Sequence, residues 1–387
     1  MREIGIYVHI PFCKRKCKYC DFVSFENDEL CEKYIDSVLN NINGINIILE
    51  KNNIGELSND LVVDTIYIGG GTPSFISSKY IIKILKKIRE KFKVKSDAEI
   101  TIEVNPGTVT KEKLKAYYNI GVNRLSIGLQ STKNEILNVI GRIHSFEDFL
   151  FTYNLAKDIG FNNINVDLML GLPTQGIEDV ISSLKEIIKL NPEHISLYSL
   201  ILEKETKLEK EVNLGILKLP DEETEREMYH KTKEILEKNN YIHYEISNFA
   251  KKGFYSKHNI NCWKQHEYLG FGIVSHSYFN NIRFNNLENL AKYIEKNSKQ
   301  VYNKYVKICE IQSKNDMMKE FMLLGFRKLD GISFKEFKSK FDTDLNLYFS
   351  KEIEKLKKQE LIEIEKGYIK LSNKGLDFAN LVFEEFI

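Results

Sequence analysis

Six short apolar runs, at residues 4–10, 62–68, 99–104, 124–129, 165–170 and 194–198, are separated by helical stretches. Parallel strands need long crossover connections, and helices usually supply them. This alternation predicts an α/β fold on a parallel sheet, either doubly wound or closing as a barrel. Helices are expected at 29–43, 79–95, 111–118, 134–140, 146–159 and 177–190, from the spacing of Leu30, Tyr34 and Val38 or of Ile81, Leu85 and Ile88. Residues 40–60 read as a variable connection around a short apolar piece.

Polar chemistry in such folds gathers where the strands end. The first run leads directly into Cys13, Cys17 and Cys20, spaced C-x3-C-x2-C. Three adjacent thiolates call for a metal. A structural zinc site needs a fourth ligand nearby, and no second C-x2-C pair exists. A cubane iron–sulfur cluster held by three cysteines leaves one iron open to a ligand. A zinc knot and three unrelated thiols are the competing readings.

The second run ends in Gly69-Gly70-Gly71-Thr72-Pro73. Glycine lets backbone amides approach a ligand closely. Neither the dinucleotide fingerprint nor the phosphate-binding loop is present. Glu103, Gln130 and Asp167 close the next strands. One such residue would be read as a helix cap; three in succession point to a shared ligand. His9 is expected to shape the cysteine loop.

Hydrophobic content of 42% and charged content of 29% are those of an ordinary globular protein. A net charge of +1 argues against a basic nucleic-acid binder. Six cysteines without a repeating framework suggest a reducing compartment. Met1-Arg2-Glu3 enters a strand at once, so no signal-peptide architecture is expected, and no run is long enough to span a membrane. The expectation is a cytoplasmic protein, with peripheral membrane contact and a homodimer both left open.

The stretches Tyr7-Val8-His9-Ile10-Pro11-Phe12-Cys13, Gly69-Gly70-Gly71-Thr72-Pro73, Ile102-Glu103-Val104-Asn105-Pro106, Arg124-Leu125-Ser126-Ile127-Gly128-Leu129-Gln130-Ser131 and Asp167-Leu168-Met169-Leu170-Gly171-Leu172-Pro173 resemble the oxygen-independent coproporphyrinogen III oxidase-like family. These are radical S-adenosylmethionine (SAM) proteins that act on or carry porphyrins. The resemblance runs from Gly5 to the C-terminus. It implies an open partial (β/α) barrel, with a [4Fe-4S] cluster on Cys13, Cys17 and Cys20. It further implies SAM contacts from Tyr7, Gly70 and Glu103. Gly71, Thr72, Gln130, Arg142 and Asp167 match positions that meet a second cofactor molecule in the oxidase. Tyr19 stands where the family carries an aromatic residue.

Within that family the chain looks closer to the haem-chaperone branch than to the oxidase. The oxidase carries a fourth cysteine two residues beyond the third, where this chain has Phe22, and an extension before the first strand. The segment His258-Asn259-Ile260-Asn261-Cys262-Trp263 matches the chaperone pattern H-N-x-x-Y-W except that Cys262 replaces the tyrosine. The resemblance implies haem contacts at His258, Asn259, Cys262 and Trp263, with apo-haemoproteins as partners and no assigned catalytic residue. The rivals are the oxidase itself or another porphyrin-modifying radical SAM enzyme, and an iron–sulfur regulator using its last domain on DNA.

Three regions are expected: the barrel over 1–240, a haem-motif connection over 241–305, and a small winged-helix-like α+β domain over 306–387. In the last, helices are expected at 316–327, 334–341 and 345–359, then a hairpin over 361–371 turning at Lys366-Gly367, and a final helix from residue 373.

Overall fold

The computed structural model describes residues 2–58 and 60–387. Twelve strands form one large sheet: β1 (Arg2–Ile10), β2 (Leu61–Gly70), β3 (Lys93–Val104), β4 (Arg124–Gln130), β5 (Ile164–Leu170), β6 (His194–Ser199), β7 (Ile242–Glu245), β8 (Asn248–Ala250), β9 (Tyr268–Phe271), β10 (His276–Phe279), β11 (Ile282–Asn286) and β12 (Val306–Ile311). Their spatial order is β12-β11-β10-β9-β1-β2-β3-β4-β5-β6-β8-β7.

β1 to β6 are parallel and lie in sequence order. A doubly wound sheet reverses its strand order at a switch point. This one does not, so the architecture is the open partial barrel. β9 joins β1 in parallel, and antiparallel β10 to β12 extend that edge. β8 and β7 extend the other edge antiparallel.

The inward positions of this barrel are unusually polar. Thr65 and Tyr67 on β2, Glu99, Thr101 and Glu103 on β3, Arg124 and Ser126 on β4, and Asn165 and Asp167 on β5 alternate with buried aliphatic residues. The aliphatic partners, such as Ile66, Ile68, Ile100 and Ile102, pack outward against the helices in the main core. That alternation is the local reason one sequence builds both a dry layer and a polar interior.

Several expected elements have the expected bounds. The helix Phe146–Ile159 is capped by Ser145 and Asp148 and stopped by Gly160 at φ +113°. The helix Ile177–Leu190 ends at Asn191 in the left-handed region.

Others differ. The helix expected over 79–95 is Ser78–Lys91; its apolar face ends at Ile88, Phe92 is already extended, and residues from Lys93 onward pair with β2. The apolar piece inside 40–60 is a helix, Ile45–Lys51. The segment 241–305 supplies β7 to β11, and β12 follows in the same sheet.

The terminal region has its own core around Met322, Phe326, Phe337, Phe349 and Leu356. A three-stranded antiparallel sheet joins β13 (Ile332–Ser333), β14 (Ile362–Glu365) and β15 (Tyr368–Leu371). The hairpin turns at Lys366 and Gly367, with φ of +50° and +83°, as a two-residue hairpin loop of this twist requires. The single helix expected over 345–359 is two, Leu345–Tyr348 and Ser350–Lys358, interrupted where Phe349 turns its ring into the core against Phe337 and Phe386. No helix is long and apolar enough to cross a membrane among the described residues.

Candidate functional site

The cysteine loop leaves β1 and is fastened at both ends. The Cys13 amide donates to the Phe25 carbonyl at 2.9 Å, and the Phe25 amide to that of Pro11 at 2.7 Å. His9 is 3% exposed, and burial pushes its imidazole down to about 4, so the ring is neutral at pH 7. Its Nε2 lies 3.1 Å from the Val23 carbonyl and its Nδ1 3.1 Å from the Tyr7 hydroxyl. A carbonyl only accepts, so Nε2 carries the proton and the tyrosine donates to Nδ1. His9 therefore does shape the loop.

The glycine turn is locked to that loop. The amides of Gly71 and Thr72 donate to the carbonyls of Ile10 and Phe12 at 2.8 and 2.9 Å. A Cβ at Gly71 would lie 2.9 Å from Cys13 Sγ and 3.0 Å from both carbonyls. Gly70 has φ +112° and would press a Cβ into the His9 ring. The turn is glycine because a side chain at these positions would collide with the loop that carries the thiols.

Cys13, Cys17 and Cys20 all line one cavity of about 420 Å³ at the C-terminal mouth of the barrel. Thr72 Oγ1 donates to Cys13 Sγ at 3.4 Å, and Arg142 Nη1 to Cys17 Sγ at 3.5 Å. Burial raises the Cys13 thiol and pushes that of Cys20 up to about 11. Among the described residues, no three His, Cys, Asp or Glu side chains converge as ligands of a single ion would. Three thiols on the wall of one cavity are the donor set that a cubane cluster with one open iron needs.

Arg142 is buried. Its Nη2 donates to the Gly128 carbonyl at 2.6 Å and to Asn105 Oδ1 at 2.8 Å. Asn105 Nδ2 donates in turn to Thr72 Oγ1 at 2.7 Å. A continuous network thus runs from Cys17 through Arg142, Asn105 and Thr72 to Cys13.

Glu103 forms the next part of the wall. It accepts from the Tyr67 hydroxyl at 2.9 Å and from the Gly70 amide at 3.1 Å. Burial, with Asp167 nearby, nonetheless raises its carboxyl to about 7. Asp167 is also raised by burial, and accepts from Asn165 at 2.8 Å and Ser126 at 3.3 Å. Gln130 sits at φ +73°, a conformation non-glycine residues rarely adopt, where β4 turns off into the cavity wall. Tyr19 lines the cavity, and Tyr7 lies behind it, stacked on Tyr67. Tyr67, Asn105, Ser126 and Tyr198 also belong to this wall. Sequence reasoning passed over them, although Tyr67 and Ser126 stand two residues before Gly69 and Gly128 on inward-facing positions, which is the signal that identifies them.

The four residues of the haem-like motif lie elsewhere and do not line this cavity. They belong to the helix Lys257–Trp263, packed at the foot of the barrel. Glu99 accepts from the backbone amides of Lys257 and His258, each at 3.1 Å, satisfying the helix's first donors. His258 Nδ1 lies 2.9 Å from Thr65 Oγ1, and burial pushes its imidazole down to about 4. Asn259 donates its amide to the Ser256 cap at 3.4 Å. Burial raises the Cys262 thiol to about 11. Trp263 lies under the Arg327 guanidinium, 4.3 Å from its ring centre, and its indole N–H is buried with no hydrogen-bond partner among the described residues.

Residues 7–187 match the radical SAM superfamily, and residues 312–378 match the HemN C-terminal domain. Proteins described as heme chaperone HemW are 35% identical to this chain in Lactococcus lactis (384 residues; 98% of this chain, 96% of the relative) and in Bacillus subtilis (385 residues; 98% of each). The mouse protein described as radical S-adenosyl methionine domain-containing protein 1, mitochondrial, is 31% identical over 96% of this chain and 84% of its own length. The Escherichia coli coproporphyrinogen III oxidase HemN, described as a radical SAM enzyme, superposes with a TM-score of 0.83 at 22% identity, over 100% of this chain and 90% of that one. That superposition fixes the fold, and the sequence matches fix the family. The chain belongs to the radical SAM superfamily, in the family of the heme chaperone HemW.

Proposed function

We propose that this protein is a haem carrier built on a radical SAM site, receiving haem and delivering it to apo-haemoproteins. The observation that carries the cofactor part is the cavity itself, where three thiols, an arginine bonded to one of them and a buried carboxylate share one wall. The donor set fits a [4Fe-4S] cluster on Cys13, Cys17 and Cys20, with Gly71 keeping the space beside Cys13 clear. When bound, such a cluster with SAM supplies one-electron chemistry.

This chain's residues do the rest. Glu103 and the Gly69–Thr72 turn present a carboxylate and bare backbone to an amine-bearing ligand. Tyr67 orients Glu103, and Arg142 holds its positive charge against the Cys17 sulfur. Gln130, Asp167, Tyr7 and Tyr19 complete the proposed cofactor contacts. The His258–Trp263 helix is the proposed haem motif. Its imidazole is committed to Thr65, so haem contact there requires the helix to shift from β2. All six cysteines are unpaired, which accords with a cytoplasmic setting.

The relatives described as heme chaperones favour the carrier over the oxidase. So does Phe22, 60% exposed at the cavity rim, where the oxidase pattern would place a thiol. The test is haem titration followed by mixing with an apo-haemoprotein. The carrier reading predicts a shifted Soret band that passes to the acceptor. Absence of haem binding by the reconstituted protein would reject it.

A further inference from the structure

A second cavity, of about 410 Å³, lies on the seam between the large sheet and the terminal domain. Residues 327–329 run along the edge of β7, where the Ile246 amide donates to the Arg327 carbonyl and the Leu329 amide to that of Tyr244, each at 3.1 Å. The cavity is lined by Ile242, His243, Tyr244, Tyr255, Ile260, Lys264, Lys328, Leu329 and Asp330. Ile260 and Lys264 come from the haem-motif helix and the residue after it, so this space is adjacent to that helix and separate from the thiol cavity.

Two features mark it as built for a ligand. Tyr244 and Tyr255 stack with ring centres 4.3 Å apart and planes 10° from parallel. Tyr244 is held through its hydroxyl, 2.7 Å from His194 Nε2 and accepting from the Ser256 amide at 3.2 Å. The pair therefore presents a fixed flat wall.

The second feature is Lys328. It is 7% exposed and lines the cavity beside Lys264 and Asp330. An ammonium on a cavity wall can form a charge-assisted bond with an anion that enters the cavity. Burial holds the Lys328 ammonium below the ordinary lysine range, with Asp330 and Glu336 opposing that and Lys264 adding to it. Lys264 and Lys328 outnumber the one carboxylate, Asp330, on the cavity wall.

We infer that this cavity binds the propionate-bearing edge of haem, with the Tyr244–Tyr255 stack against the macrocycle and Lys264 and Lys328 on the carboxylates. A volume of this size lies within the range of small-molecule sites. It takes one edge of a macrocycle and leaves the opposite edge accessible, as handover to another protein requires. The inference rests on the proposed carrier function.

The test compares haem with its dimethyl ester, which keeps the ring and loses both negative charges. Titrations use the full-length protein and the Lys264→Met, Lys328→Met and double variants, with exposed Lys307→Met as a control. The double variant should bind haem at least about tenfold more weakly, the worth of a lost charge-assisted bond, while its affinity for the ester and the control's affinity for haem stay unchanged. Should Lys328→Met fail to fold, Lys264→Met and Tyr255→Ala give the same reading, the first selective for haem and the second weakening both ligands. Wild-type binding of haem with unchanged affinity in the lysine variants, or equal losses for haem and ester, would overturn this site and leave the carrier function standing. Wild-type protein that binds no haem at all would overturn both.

Discussion

The imidazole of His258 stacks on the ring of Tyr67, with centres 5.3 Å apart and planes 30° from parallel. The same tyrosine donates its hydroxyl to Glu103, which accepts from the Gly70 amide. One aromatic ring thus connects the helix at the foot of the barrel to the cradle at its mouth. Tyr67→Phe keeps the stack and removes only the donated bond. The expected result is a three- to tenfold loss of SAM affinity by calorimetry, about 0.5–1.5 kcal/mol, with iron content unchanged. Unaltered affinity would detach Tyr67 from the cofactor site.

Cluster retention should depend on the three loop cysteines alone. Cys17→Ala should abolish bound iron and sulfide after anaerobic reconstitution, whereas Cys31→Ala and Cys309→Ala should not. Cys31 lies in the main hydrophobic core and Cys309 is exposed on β12. Full iron and sulfide in the Cys17 variant would sink the assignment.

Gly71→Ala tests the cradle from the backbone side. The added Cβ meets Cys13 Sγ at 2.9 Å and two carbonyls at 3.0 Å, so the cysteine loop must move. Iron per chain should fall well below the wild-type value while far-ultraviolet circular dichroism is preserved. Wild-type iron content in this variant would show that the turn does not set the position of Cys13.

Glu103 gives a pH-dependent prediction. Its carboxyl is raised from the ordinary glutamate value of 4.5 to about 7 by burial, so the folded state binds the extra proton between those values. Its contribution to stability is therefore present in full below about 4.5 and lost as pH rises through 7. Glu103→Gln removes the ionisation. In thermal unfolding of the cofactor-free protein the variant should gain on wild type above pH 7, by on the order of 3 kcal/mol, with the gain shrinking toward pH 5. The same substitution should weaken SAM binding at pH 8. A stability difference independent of pH would show that Glu103 does not titrate in this range.

The parallel sheet was legible because its strands are short apolar runs at strand ends marked by Gly69–Gly71, Glu103 and Asp167. The thiol loop was legible because cysteine spacing is local. The ends of elements were less so. Residues 93–97 continue a basic helical stretch in the sequence, and only their pairing with β2 makes them strand. The strands β7 to β11 were hidden because their partners are distant in sequence: β9 pairs with β1, and β8 with β6. The place of His258 could not be read either. Its motif is local, but its burial depends on Thr65, Tyr67 and Glu99 from two other strands.

The account stands on the distinction between carrying a porphyrin and converting one. The most direct measurement is made on a single anaerobic, cluster-reconstituted sample with SAM and a reductant. Haem is titrated into one half, and coproporphyrinogen III is supplied to the other and assayed for its decarboxylated product. A shifted Soret band with no product is the predicted result. Steady product formation over many turnovers would contradict it.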